Sequence, residues 1–231
     1  KGLPTLAGSK INADRPAAGR DATLVERMVA AGAVCLGALN MGEYAYDFTG
    51  ENRHAGNSRN PHDLGHMSGG SSGGSGSAVG GKLVPLSLGS DTNGSIRVPS
   101  SFCGIFGLKP TYGRLSRARS FPFVASLDHL GPFARTVADL AATYDALTGA
   151  DADDPAVADV AALPTLPELG RGAEGLRVGI LGGWFARQGT PQAYDAVARA
   201  PAALGATRIV ELPGGARARA RARVAGVTAS G

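Results

Sequence analysis

Cysteine is scarce in this chain: Cys35 and Cys103 are the two among 231 residues, and they lie far apart. A disulfide framework is thereby excluded, and a reduced, cytoplasmic setting is expected. Long apolar runs are missing too, so no stretch reads as a membrane-spanning helix, and no signal-peptide pattern is present. Charge is thin, at 18% Asp, Glu, Lys and Arg, with a formal net charge of +4. The four arginines of Arg217–Arg223 account for that excess. The remainder is close to neutral, so nucleic acid is not an expected partner. Ala and Arg alternate in that segment with a strand's period, but both are strong helix formers, and a helix is expected there.

Glycine is what the chain has in quantity, with 35 residues in a sequence that is 43% hydrophobic. The apolar content suffices for a core, and the small residues suit close packing of helix on sheet. Pro4, Gly8, Asn12, Pro16 and Gly19 interrupt every period near the start. Asp21 then offers an N-cap to a helix bearing Leu24, Val25, Met28 and Val29. Residues 33–39 read as a short buried strand. The polar run Asn40–His66, with Tyr44, Tyr46 and Phe48, reads as a surface excursion walling a pocket. A small-residue helix is predicted over Ser72–Gly81, strands over Leu83–Leu88 and Ile105–Leu108, and a short helix over Ile96–Phe102. Gly113–Pro132 reads as loop, with Phe121, Phe123 and Leu127 facing a pocket or core. Thr136-x-x-Asp139 begins an amphipathic helix to Leu147. Residues 150–175 read as an acidic loop, followed by strands over Leu176–Leu181 and Arg208–Leu212 around a helix over Pro191–Leu204. The sum is an α/β fold with a mixed, mostly parallel sheet covered by helices on both faces. One domain over 1–231 is expected, with its core motifs in 21–149 and the start of a C-terminal part in 176–231.

Chemistry concentrates between Gly69 and Arg97, where two serine-bearing glycine turns flank a small-residue helix and an apolar strand. Glycine admits positive φ and close approach of another group to the backbone, so such turns can aim several N–H groups at one point. Three other arrangements fit less well. Gly69-Gly70-Ser71-Ser72-Gly73 satisfies the nucleophile-elbow pattern, but Asp63–Ser68 makes a poor preceding strand and His129 beside Asp128 is the one tidy partner pair. Gly76–Lys82 imitates a phosphate loop, but Leu83 stands where Ser or Thr should bind magnesium. His62 and His66 have a helical metal-ligand spacing inside a segment that breaks helices. The fourth arrangement uses Ser71 and Ser95 themselves. The amides of residues 92–95 would face an oxyanion beside Ser95 Oγ, with Ser71 relaying a proton. Because a hydroxyl cannot finally hold that proton, a base such as a lysine kept neutral by burial is required.

GGSSGGS at 69–75, SDTNGSIRVPSSFCGIFGLKPTYGRLS at 90–116 and SLDHLGPFART at 126–136 resemble, in that order, the amidase signature family. The resemblance implies hydrolysis of an amide through an acyl-enzyme, with a Ser–cis-Ser–Lys triad and no cofactor or metal. Ser95 becomes the nucleophile and Ser71 the bridging serine after a cis non-proline peptide. The oxyanion hole falls on the amides of Thr92, Asn93, Gly94 and Ser95. Ser72 and Arg97 support the site, and Asp91 fixes the turn. The family's triad lysine lies just upstream of the GLPT stretch; Lys1, Lys82 and Lys109 do not match it, so the chain reads as a fragment lacking both ends. AGSKINAD, LNMGEYAYDFTGEN and RNPHDL resemble family members acting on a small ureido acid with release of ammonia. The implied partners are that small amide substrate and a small helical accessory subunit, with a homodimer as the further expectation. The alternatives are a general amidase, an amidotransferase A-type subunit, and a non-catalytic scaffold binding through its basic C-terminal segment.

Overall fold

Side-chain alternation along one six-residue strand gives the fold its two covered faces. In the computed structural model, residues 1–157, 164–173, 178–181, 187, 189–204 and 209–212 are described. The chain falls into two compact units, Lys1–Leu166 and Pro167–Gly231. The first unit runs α1 (Thr23–Ala30), β1 (Arg59–Asn60), β2 (Asp63–Met67), α2 (Gly73–Gly80), β3 (Leu86–Asp91), α3 (Arg97–Phe102), β4 (Phe106–Gly107), β5 (His129–Ala134) and α4 (Val137–Leu147). Strands β3, β5 and β4 form a sheet in that order, with β5 central and antiparallel to both neighbours. Phe133 of β5 packs on one face with Val79, Ile96, Cys103 and Ile105. Leu130 points to the other, where Leu24, Leu88, Leu115 and Leu147 meet. Strand side chains alternate faces, so α2 and α3 cover one side while α1 and α4 cover the other.

Several local expectations hold for the reasons given. Thr136 Oγ1 accepts from the Asp139 amide at 3.0 Å and donates to its carboxylate at 2.7 Å, closing the box that starts α4. Gly73–Gly80 is helical, which also removes the phosphate-loop reading, since those glycines lie within a helix. Others require correction. Asp21 does not cap α1: Ala22 occupies the cap, while the Asp21 carbonyl accepts from Arg119 Nε at 2.7 Å. Residues 33–39 form no strand, and Val34 and Leu36 are 80% and 77% exposed. An apolar run becomes a strand only beside a partner, and among the described residues none pairs with it. Asp63–Met67, by contrast, pairs with β1 despite being exposed throughout.

β5 begins inside the expected loop, where Gly131 and Pro132 argue against a strand. The Pro132 carbonyl accepts from Leu108 N at 3.1 Å, so the nitrogen of that residue points to the same side, away from β3, where Leu108 continues past β4. The missing donor therefore breaks no central ladder. The chain is α/β, but the mostly parallel sheet is not what is seen: among the described residues three of the four strand pairings are antiparallel. The parallel pair is β6 (Val178–Leu181) with β7 (Ile209–Leu212), in the second unit, on either side of α5 (Pro191–Ala203). A six-residue 3₁₀ helix at Leu166–Arg171 interrupts the expected loop 150–175. Arg217–Arg223 lies outside the described residues. Among those described, no helix is long and apolar enough to cross a membrane.

Asp154 ties its loop to the first unit. Its carboxylate accepts from Arg117 Nη2 at 2.9 Å, Nε at 3.0 Å and the backbone amide at 2.7 Å. These hydrogen bonds outweigh burial and bring its pKa from 3.8 down to about 2. A depressed carboxyl pKa means the folded chain binds fewer protons than the unfolded one. The stabilisation, about 2 kcal/mol, is present in full above pH ~4 and disappears as pH falls through ~2. Asp154→Asn is therefore expected to lower the urea midpoint at pH 5 and to differ little from the parent near pH 2.

Candidate active site

The sheet delivers the turn that carries Ser95. β3 ends on Asp91, which is fully buried. Its carboxylate accepts from Gly94 N at 2.7 Å, Ile96 N at 3.1 Å, and Arg97 Nε and Nη2 at 3.0 and 2.9 Å. Burial alone would raise its pKa. The Arg97 hydrogen bonds and charge, with the Ile96 and Gly94 amides, prevail and lower it, so Asp91 stays ionised and clamps the turn. Gly94 takes φ +136°, a conformation closed to ordinary side chains. One expectation changes here: the Gly94 N–H, assigned to the oxyanion hole, is spent on Asp91. Among the described residues the amides of Thr92, Asn93 and Ser95 carry no hydrogen bond.

The second turn is brought against the first by Ser72. Its hydroxyl accepts from Ser90 N at 3.1 Å and donates to Ser90 O at 3.2 Å, pinning the start of α2 to β3. This approach needs Gly89, where a Cβ would lie 2.6 Å from Ser72 Oγ. Ser72 N then donates to Ser95 O at 3.3 Å, main chain to main chain, joining the corners. The Gly70–Ser71 peptide is cis. Ser71 is fully buried and Ser95 is 4% exposed. The Ser71 hydroxyl has no hydrogen-bond partner, so the bond a relay needs is not made in this structure.

The competing arrangements are not assembled. A strand precedes Ser71 and a helix follows, as an elbow requires, but the hydroxyl is buried and unpartnered. The His129 ring nitrogen contacts the carbonyls of Leu127 and Asp91 at 2.7 and 3.1 Å, and burial followed by the Lys109 charge lowers its pKa. His62 meets the Cys103 carbonyl at 2.9 Å, while His66 pairs with Asp63 on an exposed hairpin. Lys109 Nζ donates to the Pro110 carbonyl. Burial and then the Arg97 charge depress its pKa, which places it in the electrostatic neighbourhood of the Asp91–Arg97 pair without touching either serine. Asp128, considered in the sequence as a partner for His129, instead accepts from Thr92 Oγ1 at 2.5 Å. No spacing rule signals that contact, because it joins one turn to the residue just before a strand that the sequence hides.

A family model described as Amidase matches residues 1–213. The chain belongs to the amidase family. It is 56% identical over 230 residues to AtzE, the 1-carboxybiuret hydrolase subunit of Pseudomonas sp. (strain ADP), a match that covers all of this chain and 50% of that protein. To the A-type subunit of the glutamyl-tRNA(Gln) amidotransferase of Koribacter versatilis (strain Ellin345) it is 44% identical over 197 residues, 85% of this chain and 41% of that one. Among solved structures, a vestigial protein complex described as revealing the evolutionary origins of an s-triazine catabolic enzyme superposes with a TM-score of 0.90 at 56% identity. It covers 95% of this chain and 48% of that chain. The corresponding amidotransferase subunit of Thermotoga maritima gives 0.85 at 32% identity, over 92% and 47%. The amidase signature fold thus accounts for the arrangement described, and the chain spans about half the length of the curated relatives it matches.

Proposed function

We propose that the protein carrying this chain hydrolyses a C–N amide bond of a small ureido or amide substrate, 1-carboxybiuret being the first choice, with ammonia as the leaving group. The observation that carries the proposal is the main-chain bond from Ser72 to Ser95, which holds a buried, unpartnered hydroxyl beside the turn of a second buried serine. Ser95 Oγ attacks the carbonyl carbon, and its proton passes to Ser71 as Ser71 gives up its own to the terminal base. That base is the lysine that the resemblance to the family's triad implies; Lys109, whose Nζ donates to the Pro110 carbonyl, is not assigned the role. The amides of Thr92, Asn93 and Ser95 receive the developing oxyanion, and Asp91 with Arg97 keeps the turn in shape. Collapse of the tetrahedral intermediate expels ammonia, which takes up the proton held by the base. Water then hydrolyses the acyl-serine by the reverse relay.

The 56% identity with AtzE favours the ureido acid over a general amide or a tRNA-linked substrate. A small accessory subunit belongs to the same proposal, supported by the similarity to the chain of a solved protein complex. So does a reducing, cytoplasmic location, consistent with free cysteines, of which Cys103 is buried with its thiol pushed up to about 11. Treatment of the full-length protein with a fluorophosphonate probe should label Ser95, located by peptide mass mapping. Labelling at another residue would refute the assignment, and an unlabelled protein would favour the scaffold alternative.

A further inference from the structure

The nucleophile turn has a second carboxylate on it, supplied from across the sheet. Asp128 Oδ1 accepts from Thr92 Oγ1 at 2.5 Å. The same carboxylate accepts from Phe123 N at 2.8 Å and from Val124 N at 3.0 Å. Its neighbour His129 is the β5 residue that pairs with Asp91 in the β3–β5 register, so Asp128 immediately precedes the strand bonded to the one that delivers Thr92. The Phe123 ring meets Tyr46 at a centroid distance of 5.8 Å. One carboxylate thus joins the oxyanion turn to an aromatic pair contributed by the loops around residues 46 and 123.

We propose that Asp128 is a positioning residue: through the Thr92 hydroxyl it fixes the Thr92 amide for the oxyanion and fastens it to the aromatic segment 121–124. The proposal rests on Ser95 as nucleophile. The Thr92 amide has no hydrogen bond among the described residues, so its direction is set by the two ends of its own residue. Asp91 holds the strand side through its backbone; the hydroxyl bond to Asp128 holds the other. The hydroxyl is committed to Asp128 as a donor, which leaves the amide to face the reacting oxygen. Three donors converge on the Asp128 carboxylate and satisfy its charge, so it can sit near a developing negative charge without competing for it.

The test is steady-state kinetics on the full-length protein with Asp128→Ala, Asp128→Asn, Thr92→Val and the Thr92→Val/Asp128→Ala double variant. Loss of one aligned donor predicts a kcat about 10 to 10² lower for Asp128→Ala, with KM changed by less than about twofold. Asp128→Asn should recover most of it, because its carbonyl still accepts from the Phe123 and Val124 amides while its NH2 donates to the rotated Thr92 hydroxyl. Thr92→Val should lower kcat by a factor similar to Asp128→Ala, and the double variant should fall no further than Thr92→Val alone. Independent, multiplying losses, a loss confined to KM, or no recovery in Asp128→Asn would overturn the proposal. Should Asp128→Ala fail to fold, Thr92→Val carries the comparison, since it leaves the bonds to Phe123 and Val124 in place. Fluorophosphonate labelling separates the two readings: a label away from Ser95 defeats the nucleophile assignment, whereas a label on Ser95 with parental kcat in Asp128→Ala defeats this one alone.

Discussion

Ser95→Ala is expected to lower kcat of the full-length enzyme by about 10⁴-fold or more, with substrate binding retained. In the proposed mechanism the neighbouring hydroxyls offer no substitute nucleophile: Ser71 is buried without a partner, Ser72 is committed at both ends to Ser90, and Thr92 to Asp128. What remains is binding and the amides of the turn, which alone give modest acceleration over water. Among the described residues the Ser95 hydroxyl makes no hydrogen bond, and the turn is held by Asp91, so the thermal midpoint should stay near that of the parent. The measurement is ammonia release under saturating substrate, paired with a melting curve. Turnover near the parental rate in a normally folded variant would remove Ser95 from the chemistry.

Ser71→Ala should produce changes of opposite sign in activity and stability. The proposed relay would lose its first acceptor, and kcat is expected to fall by about 10² to 10⁴. Stability should rise in this chain, because the hydroxyl removed is buried and unsatisfied. Such a group costs about 1–3 kcal/mol in desolvation that no bond returns. Alanine keeps the Cβ and leaves a gap of one oxygen atom, whose lost contacts offset only part of that gain. Denaturant titration of the chain, alongside kinetics of the full-length protein, checks both halves. A variant both slower and less stable would mean that the hydroxyl had a structural partner, contrary to its role as a waiting relay.

The legible parts of this molecule are those written in local pattern. The α4 capping box, the small-residue helix α2 and the paired serine turns all announce themselves within a few residues, because capping, helix packing and turn geometry are local matters. What escapes depends on distant segments. β5 carries glycine and proline yet sits at the centre of its sheet, because its proline nitrogen points away from the β3 ladder. Residues 33–39 have a strand's composition, but composition provides no partner. The direction of strand pairing likewise follows from where β5 returns across the sheet. Motif assigns Gly94 to the oxyanion hole, and only coordinates show its amide turned to Asp91. Asp128 is visible as a residue but not as the partner of Thr92, since 36 positions separate them and the intervening loop gives no period to count.

The bond between Ser72 N and Ser95 O has one more implication. It uses backbone atoms alone and is therefore indifferent to which side chains sit at positions 71 and 95. Architecture and reactivity are thus inherited separately in this molecule. A descendant could shed either hydroxyl, fall silent as a catalyst, and still present the same two corners to whatever the family scaffold holds.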